Sequence, residues 1–595
     1  MSPNRKSTTV AASVAAVLFA VGLAGPSRAA ELPNGVAAGD VTGESGVLWA
    51  RAEKTGRMRF EISGRADLKG AKKYNVTVSN TTVPAKVKVD DLDPGRTYYY
   101  RATDAAGNSS VGRFRTPPRE CTNTAVRFGV SGDWRGELAP YPSIRNVPQR
   151  NLDFFIEHGD TIYAERYSGP PEPAARTLPE YRARHDEVMS TRFGLNTWRD
   201  LRGSTAILAT IDDHEVINDF AGGAPPSSNP ADFDQTGAYI NETDRYKAGL
   251  RAFQEYMPIA DRRYGETGDP RTAKKPKLFR SRTYGNAAAV IVLDNRSFRD
   301  QELVPANLGS PADVGRFLVQ SFDPSRTMLG AAQLNDLKAK LLRAQQRGVV
   351  WKFVLTPEPI QNLGVLIAED RYEGYAAERT QILKFVTDNH IDNVVFVTAD
   401  IHGTLVNNVT YQMGPGQPQI PTGTFEISTG AVAFEEPFGP TVAGLAAQLG
   451  FITPLQKAYY DSLPAYPGLG KDNFIEQLVN GQVTQLGYDP VGLNNSNIQV
   501  SSSAGGYVAT HIYGWTEFNV DRDSKSLTVT TYGIPSYTYD QLQANTAAVV
   551  GSQPAVWQSF SVLPVIGPDF GRSCRGGDDD HEGDDEDDGD HEHDH

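Results

Sequence analysis

Six short runs in this chain are almost continuous in Val, Ile, Leu, Phe and Ala, and each ends in a polar residue. They are Val126 to Asp133, Leu152 to Asp160, Thr205 to Glu215, Ala288 to Arg296, Val350 to Glu358 and Asn393 to His402. All have strand length, and a strand that is apolar on both faces belongs to a mostly parallel sheet with helices on either side. Helical patterns fall between and beside them, at Leu178 to Arg192, Glu242 to Tyr256, Ala331 to Gln346 and Tyr372 to Asn389. The expected class is α/β, a two-sheet α/β sandwich over residues 124–570. Gly/Pro-rich excursions at 221–240 and 414–425 suit loops around a site, and 498–534 returns to β character as a sheet edge.

Sheets of this kind bind ligands beyond the carboxyl ends of their strands. Here those ends carry Asp133, Asp160 with Tyr163, Asp212-Asp213-His214, and Asp400 with His402. Several carboxylates aimed at one crevice repel one another unless a counter-charge is supplied, and a pair of multivalent cations supplies it. An aspartate can bridge two cations, and a phenolate such as Tyr163 favours ferric iron; the bland alternative for Tyr163 is core packing. Asp213 is a ligand candidate, and His214, if not a ligand, is placed to donate a proton to a leaving alkoxide.

Placement gives these motifs their meaning. Asp212-Asp213-His214-Glu215 recurs by chance as Asp579-Asp580-His581-Glu582, and only the first copy follows a buried strand. Asp400 and His402 share one face of an extended segment because side chains alternate with period two. Asn218 and Asp219 are candidates for support around the site, Glu358 is a weaker ligand candidate, and Trp134 is assigned to packing. Arg296 either holds a substrate anion or pairs with a structural carboxylate.

With 595 residues, the chain should form more than one structured unit. Arg5-Lys6, the apolar stretch Val10 to Gly25 and Ser27-Arg28-Ala29 read as an export signal over 1–29, which implies a periplasmic or extracellular protein. Residues 32–118 show short alternating runs and turn residues, a small β-sandwich closed by a stiff Arg115-Thr116-Pro117-Pro118 linker. The net charge of −14 misleads, because 12 acidic residues lie in Asp578 to His595 and the body is close to neutral. No nucleic-acid groove is indicated. The tail, 575–595, reads as a disordered acidic and His-rich solubiliser, or as a loose Ca²⁺ binder. Cys121 and Cys574 either pair in a disulfide or remain two thiols.

The separated motifs, in order, resemble the alkaline phosphatase D family of calcineurin-like metallophosphatases. They are Gly35 to Asp40, Val47 to Arg51, Gly112 to Thr116, Gly159-Asp160-Thr161-Ile162-Tyr163-Ala164-Glu165, Tyr181 to Arg184, Asp212 to Val216, Leu293 to Ser297 and Asp400-Ile401-His402. The resemblance implies a fibronectin-like front module and a metallophosphatase domain. Members commonly carry a cysteine ligand after the first strand, whereas Ser131-Gly132-Asp133-Trp134 is similar to the motif of purple acid phosphatases. Carried over, Asp133, Asp160, Tyr163 and His402 would hold Fe³⁺, and Asp160, Asp213 and Asp400 a second, divalent ion. Its oxygen-rich ligands favour Ca²⁺, with Mn²⁺ or Mg²⁺ as alternatives.

The function implied is an exported phosphoric ester hydrolase that uses metal-bound hydroxide, with His214 as general acid and Arg296 as a substrate-binding candidate. Small phosphate esters are its expected substrates. Phospholipid or polymer phosphodiesters define the alternative, a phosphodiesterase or phospholipase D on the same scaffold. A non-catalytic Ca²⁺-binding surface protein is the alternative of another class.

Overall fold

The computed structural model describes residues 30–167, 173–464 and 468–566. The expected export signal, the acidic tail and Cys574, half of the Cys121 pairing, lie outside the described residues. All six apolar runs form strands, at Val126–Trp134, Phe154–His158, Ala206–Thr210, Ala288–Val292, Trp351–Leu355 and Val394–Thr398. They divide between two sheets.

The first sheet runs, in hydrogen-bonded order, Val500–Ala504, Ala555–Val562, Leu527–Pro535, Ile512–Val520, Val126–Trp134, Phe154–His158, Ala206–Thr210, Val36–Gly39, Gly46–Ala50 and Ala85–Val89. Ala431–Ala433 pairs in parallel with the end of Val126–Trp134. The second runs Arg280–Tyr284, Ala288–Val292, Trp351–Leu355, Val394–Thr398, Ile420–Ser428, Thr404–Tyr411 and Val508–Ala509. In each, the central strands are parallel, so their carboxyl ends emerge along one rim.

Side-chain alternation explains the layers. Phe154 points into the space between the sheets and Phe155 to the outer face. In that space Phe128 stacks on Phe154 and Phe518 at centroid distances of 4.7 and 4.8 Å and meets Phe353 of the other sheet edge-on at 4.9 Å. Each such buried side chain contributes about 1.5–3 kcal/mol. The outer face of the first sheet packs on helices Leu178–Val188, Thr197–Arg202 and Asp244–Tyr256 through Tyr181, Trp198, Leu250 and Phe253. The second packs on Ala331–Gln346 and Ala376–Asp388 through Leu334, Leu337, Leu341, Ile382 and Leu383.

The structure adds detail to four expectations. The front module is all-β, as expected, with its own four-stranded sheet (Lys72–Val78, Gly56–Ser63, Thr97–Thr103, Ser109–Arg115), and its other three strands extend the first large sheet through the parallel pairing of Val36–Gly39 with Ala206–Thr210. The residues expected as a stiff linker are held by backbone hydrogen bonds, with Thr116 N–H on the Arg96 carbonyl at 3.0 Å and the Pro117 carbonyl on Gly95 N–H at 2.9 Å. Ile512–Val520 is an interior strand paired with both Val126–Trp134 and Leu527–Pro535, and the edge falls to Val500–Ala504. The excursion at 414–425 runs into the strand Ile420–Ser428. Among the described residues no helix is long and apolar enough to cross a membrane.

Candidate active site

The strand ends leave their sheets through an unusual backbone. Asp133, Asp160, Asp400 and His402 all adopt left-handed conformations, with φ of 62°, 49°, 63° and 57°. For residues other than glycine each costs about 1–3 kcal/mol, and such strain persists where a site requires it. Glycine makes the close approach possible: a Cβ at Gly159, φ 79°, would fall 2.7 Å from Asp212 Cβ. One at Gly403 would meet Phe438 Cβ at 2.6 Å.

These turns bring distant residues together. One ligand atom each from Asp133, Asp160 and His402 lie within 4.8 Å of one another, as do those of Asp160, Asp213 and His214. Tyr163 Oη is 3.5 Å from Asp133 Oδ1 and 3.4 Å from His402 Nε2. Asp400 gathers instead with Asp212 and Glu358, again within 4.8 Å, around the Arg296 guanidinium. Asp160 belongs to two of the three groups, so it stands where a bridging carboxylate would.

The electrostatics follow from crowding. Burial, and after it the charges of Asp212 and Asp213, push the Asp133 carboxyl well above its ordinary range. Burial with Asp213 and Asp212 does the same at Asp160, and burial with Asp212 and Asp370 at Asp400. At Asp213 burial is outweighed by Arg296 and His214, which hold the carboxylate ionised well below the usual range. Burial, with His214 and Arg135, lowers His402 to about 3, so its imidazole is neutral, the form that ligates metal. Burial opposes charge on His214, but Asp213, Asp160 and Glu165 prevail and keep it protonated well above its ordinary pKa.

The donor set fits cations. Asp133 Oδ2 and Asp213 Oδ1 are buried and find no hydrogen-bond donor among the described residues. Buried carboxylate oxygens are rarely left so. Burial, Asp160 and Asp133 raise the Tyr163 pKa far above that of an ordinary phenol, so ionising it requires a nearby positive charge. Oxygen donors with one neutral imidazole suit hard or borderline metals.

Comparison with known proteins gives the family. The PhoD-like phosphatase family matches residues 130–449, and the PhoD-like phosphatase N-terminal domain matches residues 19–118. The chain belongs to the PhoD-like phosphatase family. It is 27% identical over 440 residues to alkaline phosphatase D of Bacillus subtilis (strain 168), covering 67% of this chain and 69% of that protein. A solved structure of PhoD superposes with a TM-score of 0.63 at 18% identity, covering 90% of this chain and 93% of that one. The purple acid phosphatase PPD1 from yellow lupin (Lupinus luteus) seeds gives a TM-score of 0.45 at 10% identity, with 89% and 73% covered. This PhoD-like phosphatase is a phosphoric ester hydrolase, and its family and its acidic clusters make metal ions its cofactors.

In this PhoD-like site Arg296 faces carboxylates, one of the two settings read from the sequence. That side chain is wholly buried and faces carboxylates, binding Asp212 through Nε–Oδ1 at 2.5 Å and Nη2–Oδ2 at 3.1 Å. It also contacts Glu358 and lies 3.5 Å from Asp370. These acids surround its charge, the structural-carboxylate setting that the sequence reading held beside a substrate anion. Trp134 packs on Trp198 at 4.0 Å, as expected.

Several residues escape a reading of the sequence. Glu215, fully buried, accepts hydrogen bonds from Thr161 N–H at 2.7 Å, Thr161 Oγ1 at 2.7 Å and Asp212 N–H at 2.9 Å, tying two strand ends together. Phe434 stacks on the His402 ring at 3.4 Å between centroids and lies under the Arg135 guanidinium. Glu165 holds His214 Nδ1 at 2.8 Å. Glu165 and Glu215 stand inside quoted motifs, so a signal existed for them; Phe434 begins the apolar stretch Phe434 to Phe438, which reads as an acyl groove or as core, and its stacking on His402 is brought in by the fold.

Proposed function

We propose that this phosphatase hydrolyses phosphomonoesters, with diesters as further substrates, at a two-metal site with Fe³⁺ at Asp133, Asp160, Tyr163 and His402. A divalent ion, Ca²⁺ in first place and Mn²⁺ or Mg²⁺ as alternatives, takes Asp160 and Asp213, with Asp400 as the further carboxylate carried over from the resemblance. The observation that supports this most is the convergence of Asp133, Asp160 and His402 within 4.8 Å, with Tyr163 Oη against two of them. Two cations there would polarise the phosphoryl oxygen and acidify a water for in-line attack.

The protein's own groups do the rest. Asp160 joins the two ligand sets, the strained turns fix the acids before substrate arrives, and His214 delivers a proton to the departing oxygen. Export to the periplasm or beyond belongs to the same reading and rests on the N-terminal sequence pattern. The test is turnover of p-nitrophenyl phosphate and an alkyl phosphate alongside elemental analysis. Asp160→Ala should lose metal and hydrolysis together, while His214→Ala should keep metal and lose about 10²–10⁴-fold on the alkyl ester. Full alkyl-ester turnover by His214→Ala would contradict the general-acid role.

A second reading, a phosphodiesterase or phospholipase D, draws on one observation. After Phe438, whose N–H meets the His402 carbonyl at 3.1 Å, the chain exposes Leu449, Phe451, Leu455 and Tyr459. Exposed apolar side chains of this kind suit an acyl chain. Phosphatidylcholine turned over faster than p-nitrophenyl phosphate would favour it.

A further inference from the structure

Glu165 is held at both carboxylate oxygens. Oε1 accepts the Asn218 N–H at 2.7 Å, and Oε2 lies 2.8 Å from His214 Nδ1. The main chain of His214 is fixed independently, its N–H on Asp160 Oδ1 at 3.3 Å and its carbonyl accepting the Ala164 N–H at 3.0 Å. Its ring lies 4.2 Å from that of Tyr163. With Nδ1 committed to Glu165, the nitrogen left to face the acidic rim is Nε2, 4.0 Å from Asp213 Oδ1. The imidazole remains 16% exposed, open enough to meet a ligand.

We propose that Glu165 is the positioning residue of the proton donor, fixing the His214 ring so that Nε2 presents its proton to the ester oxygen that leaves. This rests on the reading of His214 as general acid. In the step, the water oxygen forms the new P–O bond and the ester P–O bond breaks, its electron pair staying on the ester oxygen. That oxygen takes the Nε2 proton, and a proton released by the attacking water restores His214 by way of solvent. Throughout, the Nδ1 proton stays on the imidazole, donated to the Glu165 carboxylate, so the ring does not rotate between turnovers. A carboxylate on one imidazole nitrogen also orients histidines that ligate metal through the other, and metal content separates the two roles.

The experiment uses the metal-loaded full chain, with Glu165→Ala, Glu165→Gln and His214→Ala compared on an alkyl phosphate and on p-nitrophenyl phosphate, whose leaving group departs without a proton. Glu165→Ala is expected to lower kcat on the alkyl ester by about 10²-fold. It should leave KM, metal content and p-nitrophenyl phosphate turnover within a few-fold of wild type. Glu165→Gln, which still accepts the Nδ1 hydrogen bond, should recover part of the loss. Glu165→Ala added to His214→Ala should cost nothing more, because the two act as a unit. An equal loss on both esters, loss of metal, or additive losses would overturn the proposal. Should His214→Ala itself show no preference between leaving groups, the general-acid reading falls; if it does and Glu165→Ala does not, only the positioning role falls.

Discussion

Arg296 and Asp212 meet through two parallel contacts, Nε to Oδ1 at 2.5 Å and Nη2 to Oδ2 at 3.1 Å, and both side chains are buried. The same guanidinium touches Glu358 and lies 3.9 Å from both Asp213 and Asp400. One buried cation thus balances acids that would otherwise scatter the strand ends. Removing one partner of such a set leaves uncompensated charge and costs about 3–5 kcal/mol. Arg296→Met should therefore lower the urea midpoint by that equivalent, and it should weaken divalent-ion binding. Unchanged stability would show that the acids need no internal counter-charge.

Tyr163 supplies a spectroscopic test. A tyrosinate bound to ferric iron gives a visible charge-transfer band, so Tyr163→Phe should abolish the colour of the purified protein while Phe434→Leu, which removes stacking from His402, should only shift or weaken it. A colourless wild type that contains stoichiometric iron would remove Tyr163 from the ligand set.

The front module is expected to be inseparable from the catalytic sheet. Deleting residues 30–118 would strip Val36–Gly39 from Ala206–Thr210 and leave that strand as an open edge, which promotes aggregation. It would also unpair buried Arg280 from Asp40, whose two oxygens lie 3.0 Å from its Nε. Size-exclusion chromatography should show aggregate or no folded protein; a monomer with wild-type circular dichroism would contradict the shared sheet.

Glu378 gives a pH dependence away from the metals. Its Oε1 accepts Met328 and Leu329 N–H at 3.0 and 2.9 Å, and burial raises its pKa from 4.5 to about 7. Because the folded value lies above the unfolded one, its stabilising contribution is complete below about pH 4.5 and is lost as pH rises through about 7. Glu378→Gln should therefore remove a decline in stability between those limits. A difference between variant and wild type that is flat from pH 4.5 to 7.5 would refute this.

How much was legible beforehand follows from what each residue needs. The six apolar runs announce buried strands because burial on both faces leaves no polar position, and all six are found. Asp133, Asp160, Asp213 and His402 were visible because polar residues at such strand ends must answer to one rim. Arg296 was visible but ambiguous, since a strand end says nothing about whether an arginine faces solvent or a ring of acids; its neighbours Asp212, Glu358 and Asp370 come from three separate segments. The shared sheet was hidden because the pairing of Val36–Gly39 with Ala206–Thr210 joins strands far apart in sequence, and alternation in the front module fits a closed sandwich equally well. The stacking of Phe434 on His402 was hidden for the same reason, being set by where Ala431–Ala433 docks beside Val126–Trp134.

The most direct measurement is anomalous diffraction at the iron edge from crystals of enzyme shown to be active. A single strong peak is expected among Asp133, Asp160, Tyr163 and His402, with a second, non-iron peak on the Asp213 side of Asp160. Active crystals with no metal density in contact with Asp160 would contradict the central claim that these strand ends converge to hold a pair of cations.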